Sequence, residues 1–188
     1  YQSMFATTSG AYNAAFGHQT LANNTVGAAN VAVGYTAMLA NTTGSNNIGV
    51  GYQAVYKNTT GNNNVAIGYN AASGNGVAST TFSNVIAIGT NALLSNTAVN
   101  NTAVGTQALQ NNTTGADVTA LGYLALYSNT TGTYNVAVGH ASLYTNTVGQ
   151  YNTAVGWSAL NKSTASSNTA IGTNAGGEIT TGGQNTML

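Results

Sequence analysis

The chain has 188 residues, enough for one ordinary domain, yet only two are basic and two acidic, or 2% charged against a typical value of about 25%. A net charge of zero leaves no electrostatic footprint for nucleic acid or an anionic membrane, and the lack of cysteine excludes disulfides and thiolate metal sites. Proline is absent too, which suits an unbroken backbone ladder, and no apolar run reaches the roughly 18 residues of a membrane-spanning helix.

Ten glycines then punctuate the chain: Gly17, Gly34, Gly51, Gly68, Gly89, Gly105, Gly122, Gly139, Gly156 and Gly172. The steps between them are 17, 17, 17, 21, 16, 17, 17, 17 and 16 residues. A period this short and regular predicts a solenoid, in which each repeat is one coil and only neighbouring coils touch. The expectation is one all-β domain over residues 1–188, a parallel β-roll or β-solenoid of about eleven 17-residue coils. Tyr1 stands in the phase of a residue that follows the marker glycine, and Leu188 in the phase of one that precedes it. That phase predicts a segment of a longer fibre, or a unit that continues head to tail.

Within each coil the first predicted element is a strand. An Asn commonly opens it (Asn30, Asn47, Asn64, Asn135), followed by a β-branched residue, a tiny one and a large apolar one before the glycine. The triplets Val31-Ala32-Val33, Val65-Ala66-Ile67 and Val136-Ala137-Val138 are examples. Such a triplet ending in Gly reads as a short strand and a sharp bend. Alternation puts the alanines on one face and the large residues on the other. Both faces are apolar, so both call for burial, and the coil interior can cover only one. A further copy of the chain is the simplest cover for the second. The narrow coil suggests that Ala points inward and Val or Ile toward that partner.

A second apolar pair follows the glycine, as in Ala37-Met38, Ala54-Val55, Ala108-Leu109 and Ala159-Leu160. It reads as a second short strand or as a turn packed under the first. The coil closes with Asn-Thr-Thr-Gly at residues 41–44, 58–61, 112–115 and 129–132. Here Asn tolerates left-handed backbone, Gly supplies positive φ, and stacking predicts Asn and Thr ladders. Asn41, Asn58, Asn112 and Asn129 also begin Asn-x-Thr sequons, which read as turn chemistry, or as glycan sites in a eukaryotic secretory setting. The 21-residue step predicts an insertion loop near 74–82, and Met187 stands where other coils have Ala or Gly.

The unit Asn-x-Ala-(Val/Ile)-Gly, as in Asn64–Gly68, Asn135–Gly139 and Asn152–Gly156, resembles the head repeat of trimeric autotransporter adhesins of the YadA type. The longer unit with its Asn-Thr-Thr-Gly turn is similar to segments of trimeric phage tail fibres. The resemblance covers nearly the whole chain. It implies a left-handed β-roll, a side-by-side homotrimer and an extracellular location on a bacterial surface or phage virion. It also implies attachment to a host-surface glycan or protein receptor, with no nucleic-acid partner and no membrane insertion by this segment.

The candidate binding residues are an aromatic row after the marker glycine: Tyr35, Tyr52, Tyr69, Tyr123 and Trp157, with His18 and His140 in the same row. Such a row either binds sugar rings or collagen-like partners, or is a structural ladder at a coil corner. Tyr56, Tyr127 and Tyr144 form a second set. No catalytic residue, cofactor or metal site is expected. The acids Asp117 and Glu178 lie more than three coils apart, and His18 and His140 lie seven coils apart, so neither pair can share chemistry within one chain. The leading function is therefore a structural and adhesive fibre segment rather than an enzyme. The alternatives are a self-assembling extracellular filament subunit and a monomeric ice-binding solenoid.

Overall fold

The computed structural model describes residues 2–75 and 80–188. Eleven short strands form one parallel sheet in chain order: β1 (Ala14–Phe16), β2 (Val31–Val33), β3 (Ile48–Val50), β4 (Val65–Ile67), β5 (Ile86–Ile88), β6 (Thr102–Val104), β7 (Thr119–Leu121), β8 (Val136–Val138), β9 (Thr153–Val155), β10 (Thr169–Ile171) and β11 (Thr186–Met187). The described residues contain no helix. About ten turns of a parallel β-solenoid connect the strands. Their register follows the sequence repeat, with Ala32 beside Gly49, Gly49 beside Ala66 and Ala66 beside Ala87.

The middle residue of each strand points into the coil. Ala32, Ala66, Ala87, Ala103, Ala120, Ala137, Ala154 and Ala170 are all completely buried. The flanking β-branched residues point out, and Val31, Ile48, Ile67, Ile86 and Val136 remain 37–41% exposed. The marker glycines hold φ between 128° and 142°, a region closed to L side chains. They also stack backbone on backbone, so a Cβ on Gly34 would lie 2.5 Å from the carbonyl oxygen of Gly51.

The second apolar pair forms no strand. It lies in a turn, with both members fully buried against the alanine row. Two left-handed residues make this turn, as Thr36 and Met38 do at φ of 50° and 54°. Even the β-branched Val55 sits at φ 54°. Left-handed backbone costs about 1–2 kcal/mol per residue. Complete burial of a side chain such as Val55 or Leu126 gains about 1.5–3 kcal/mol. Burial therefore offsets the cost, and the amide keeps its bond to the next coil, as Val55 N does to Ala71 O at 3.0 Å.

The closing turn works differently from the sequence expectation. Asn41, Asn58, Asn112 and Asn129 do not adopt positive φ, and neither do the turn glycines; the left-handed residue comes two positions later, as at Asn46 (φ 59°). Glycine is needed here because a Cβ on Gly44 would run into Asn41 Oδ1 and the carbonyl of Gly61. The Asn side chains are interior groups, at most 1% exposed. Asn41 Nδ2 donates to Asn24 Oδ1 in the coil before (2.8 Å) and to Gly44 O in its own turn (3.0 Å). The strand-opening asparagines form a second buried row: Asn30 Nδ2 also donates to Gly44 O (2.8 Å), and Asn30 Oδ1 accepts from Asn47 N (2.9 Å). Two amide ladders thus converge on one row of carbonyls, which pairs the buried side-chain N–H donors of Asn30 and Asn41. Burial of the four sequon asparagines leaves no room for a glycan in the folded coil.

Threonine forms a third ladder. Thr25 Oγ1 donates to Thr42 O (3.0 Å), Thr42 Oγ1 to Thr59 O (3.1 Å) and Thr113 Oγ1 to Thr130 O (2.9 Å). The register regained by Thr59 N donating to Thr80 O (2.9 Å) narrows the insertion, so Thr80, Thr81 and Phe82 are back in the coil. Phe82 is completely buried. Residues 76–79 of the expected 74–82 loop lie outside the described residues.

Candidate functional site

Each marker glycine bends the chain out of the sheet, so the residue after it stands at the sheet edge, one coil above its predecessor. Parallel in-register stacking turns a sequence row into a column of rings. His18, Tyr35, Tyr52 and Tyr69 form one stack, with centroid spacings of 5.2, 5.3 and 5.0 Å and interplanar angles of 8–11°. Tyr123, His140 and Trp157 form another, at 5.3 and 6.1 Å, with the first pair tilted by 37°. The five predicted binding residues are therefore split between two stacks. Between them stand Thr90 and Thr106, both exposed. Backbone bonds from Asn91 N to Tyr69 O (2.9 Å), Gln107 N to Thr90 O (2.8 Å) and Leu124 N to Thr106 O (3.1 Å) put the two threonines in line with the rings.

All five rings are 40–51% exposed. Within a stack, each ring's faces turn toward the neighbouring rings, leaving edges and hydroxyls to solvent. Among the described residues, Tyr69 and Tyr123 each have a stacked ring on one side only. His18 and His140 sit in different stacks, and no group of three metal-ligating side chains occurs among the described residues. In the second set Tyr127 and Tyr144 stack at 5.3 Å, while Tyr56 lies four coils away with Lys57 Nζ 5.2 Å from its ring centroid.

The sequence reading missed a third column, formed by the residue just before each strand-opening position. Asn46, Asn63, Asn84 and Asn100 donate one to the next at 3.2–3.4 Å, and Asn100 Nδ2 ends the chain on Asp117 Oδ1 at 3.0 Å. Tyr134 and Tyr151 continue the column as a stacked pair at 5.1 Å. Every one of these residues has positive φ, which Asn and Asp adopt more readily than Tyr. The same 17-residue spacing that revealed the other rows was available here, but the mixture of amide, acid and ring hid it.

The outer sheet face is a further exposed surface. It runs the length of the solenoid and is lined by Val31, Ile48, Ile67, Ile86 and Val136, with Phe16 at 77% and Ile171 at 47% exposure. Near the other end, Lys162 Nζ and Glu178 Oε2 pair at 2.7 Å across neighbouring coils beside a cavity of about 290 Å³ lined by Ser158, Asn161 and Asn174. Both charged side chains are more than half exposed, so water screens the pair.

Comparison with family models, with curated proteins and with solved structures returned no match. No helix among the described residues is long and apolar enough to cross a membrane.

Proposed function

We propose that this chain is a structural and adhesive segment of an extracellular trimeric fibre, attaching a bacterial surface or a phage virion to its host. The observation that carries the reading is the uncovered apolar face of the eleven-stranded parallel sheet. Parallel sheets are ordinarily covered on both faces, and a long exposed apolar strip is a protein-contact surface. Two further copies of the same chain supply a matching apolar strip of the same length. The number three comes from the resemblance to trimeric adhesin heads and tail fibres.

The mechanism is mechanical. Eleven strands at about 4.8 Å each make a rod on the order of 50 Å long. Backbone, Asn and Thr ladders run along it, so it holds a binding surface away from the parent particle. Three copies of each surface raise avidity without any new contact. The ice-binding alternative loses support from the threonine column, whose hydroxyl protons are engaged by carbonyls of the next coil.

Native mass by light scattering after size exclusion tests the reading. Three times the 18.8 kDa chain mass supports it. A discrete single-chain mass overturns it, and an open-ended, concentration-dependent mass replaces it with the filament.

A further inference from the structure

The two aromatic stacks share one row, and the row is interrupted once along its length. Tyr69 ends the first stack and Tyr123 begins the second, with only Thr90 and Thr106 between. Tyr69 to Tyr123 is three coil steps, on the order of 14 Å at the strand spacing. Two rings are missing from an otherwise regular column. Tyr69 stacks on Tyr52 and Tyr123 on His140, the latter pair tilted by 37°, so each of the two end rings keeps one side toward the threonines. The rings are 51% and 47% exposed, and both threonines are exposed.

We infer that this gap is a carbohydrate slot that takes one or two pyranose rings of an uncharged glycan between Tyr69 and Tyr123. The inference deepens the adhesive reading above and rests on it for its biological setting. Three features select the ligand class. A pyranose presents C–H faces about as broad as a phenol ring, which pack against an open aromatic face. The slot floor carries two hydroxyls, from Thr90 and Thr106, rather than apolar groups, which matches the hydroxyl rim of a sugar. The four charged residues Lys57, Asp117, Lys162 and Glu178 all lie off this row, so nothing favours an acidic or basic ligand over a neutral one. The inner rings Tyr35 and Tyr52 have both faces turned to neighbours, so their part is to hold the Tyr69 ring in place from one side.

Saturation-transfer NMR tests this with methyl β-D-galactopyranoside, methyl β-D-glucopyranoside and methyl α-D-mannopyranoside as probes, and 4-nitrophenol as a flat aromatic comparison. Transfer to the ring protons of at least one glycoside is expected. Tyr69→Ser and Tyr123→Ser should each weaken it about tenfold, the equivalent of one stacking contact. Thr90→Tyr with Thr106→Tyr completes the column and should abolish transfer while the melting temperature holds or rises. Tyr134→Ser, on another column, should leave transfer unchanged. No transfer to any glycoside, transfer to 4-nitrophenol alone, or undiminished transfer in the filled variant each overturns the slot. The mass measurement separates the two readings: a trimer without transfer removes the slot and keeps the fibre, and a monomer with transfer does the reverse.

Discussion

Met187 occupies the space that Gly176 vacates. A Cβ placed on Gly176 would lie 2.7 Å from Met187 Sδ and 2.9 Å from Leu160 Cδ2. In the regular coils the first position holds Leu, Met or Val and the second holds Ala, as at Leu126 and Ala137. The final coil exchanges large for small across the interior. The same accommodation occurs at Gly49, where a Cβ would meet Met38 Cγ at 2.9 Å.

The exchange predicts coupling. Gly176→Leu alone should overpack the coil and cost about 1–3 kcal/mol, toward the lower end because this coil is only partly buried. Gly176→Leu with Met187→Ala restores the ordinary arrangement and should recover most of the loss. A double-mutant cycle by thermal or denaturant unfolding measures this, and additive effects would contradict the packing.

Ala137→Leu should be far worse tolerated than any change on the outer face. Ala137 is completely buried in the middle of β8, and its methyl faces the turn across a narrow interior. The expected loss is about 1–3 kcal/mol, or several degrees of melting temperature at this chain length. Native-like melting in the variant would mean that this row does not face inward.

The buried amide ladder predicts a pH-dependent variant. Asn129 Nδ2 donates to Asn112 Oδ1 (2.8 Å) and Gly132 O (3.0 Å), while its Oδ1 accepts from Asn146 Nδ2 (3.1 Å). Asn129→Asp puts a carboxyl among acceptors. Its protonated form regains one donor, so the folded state raises its pKa above the unfolded value of about 3.9. The variant should therefore be most stable below that value and lose stability as pH rises through the folded pKa. Urea midpoints at pH 3 and pH 7 check the sign against the parent chain.

The ladder also stops early. Asn146 Oδ1 and Ser163 Oγ, in successive coils, are both buried without a hydrogen-bond partner. Ser163→Asn would let its Nδ2 donate to Asn146 Oδ1, as Asn146 does to Asn129. One added bond is worth about 0.5–1.5 kcal/mol, so the melting temperature should rise by a few degrees.

Ile48→Lys with Ile86→Lys should separate folding from association. Both side chains lie on the outer sheet face, 38% and 41% exposed, and fill no interior space. Circular dichroism should be unchanged. If that face joins the chains, light scattering should show the assembly dissociating to single chains.

The strand rows were legible because each residue's environment repeats every coil. One β-branched, tiny, large triplet gives a weak signal; ten in register place Ala32, Ala66 and Ala137 in one column without ambiguity. The turn was misassigned because composition cannot separate two uses of the same residues. Asn41 and Gly44 look like residues chosen for positive φ, yet one is a buried hydrogen-bonding group and the other a space left for it. Phe82 was placed in the insertion loop because the length of the 21-residue step does not say where in the coil the extra residues fall.

The sequence by itself determined the period, the parallel register and the existence of ladders, while the structure decided which apolar row faces the interior. Each of the first three depends on residues one repeat apart, and a solenoid places such residues in contact. Only the tertiary structure decided what happens across a coil, between positions with no fixed spacing. The meeting of two asparagine rows on one carbonyl and the exchange of volume between Gly176 and Met187 both arise there. Those relations depend on side-chain direction and backbone sign, which a one-dimensional repeat does not carry.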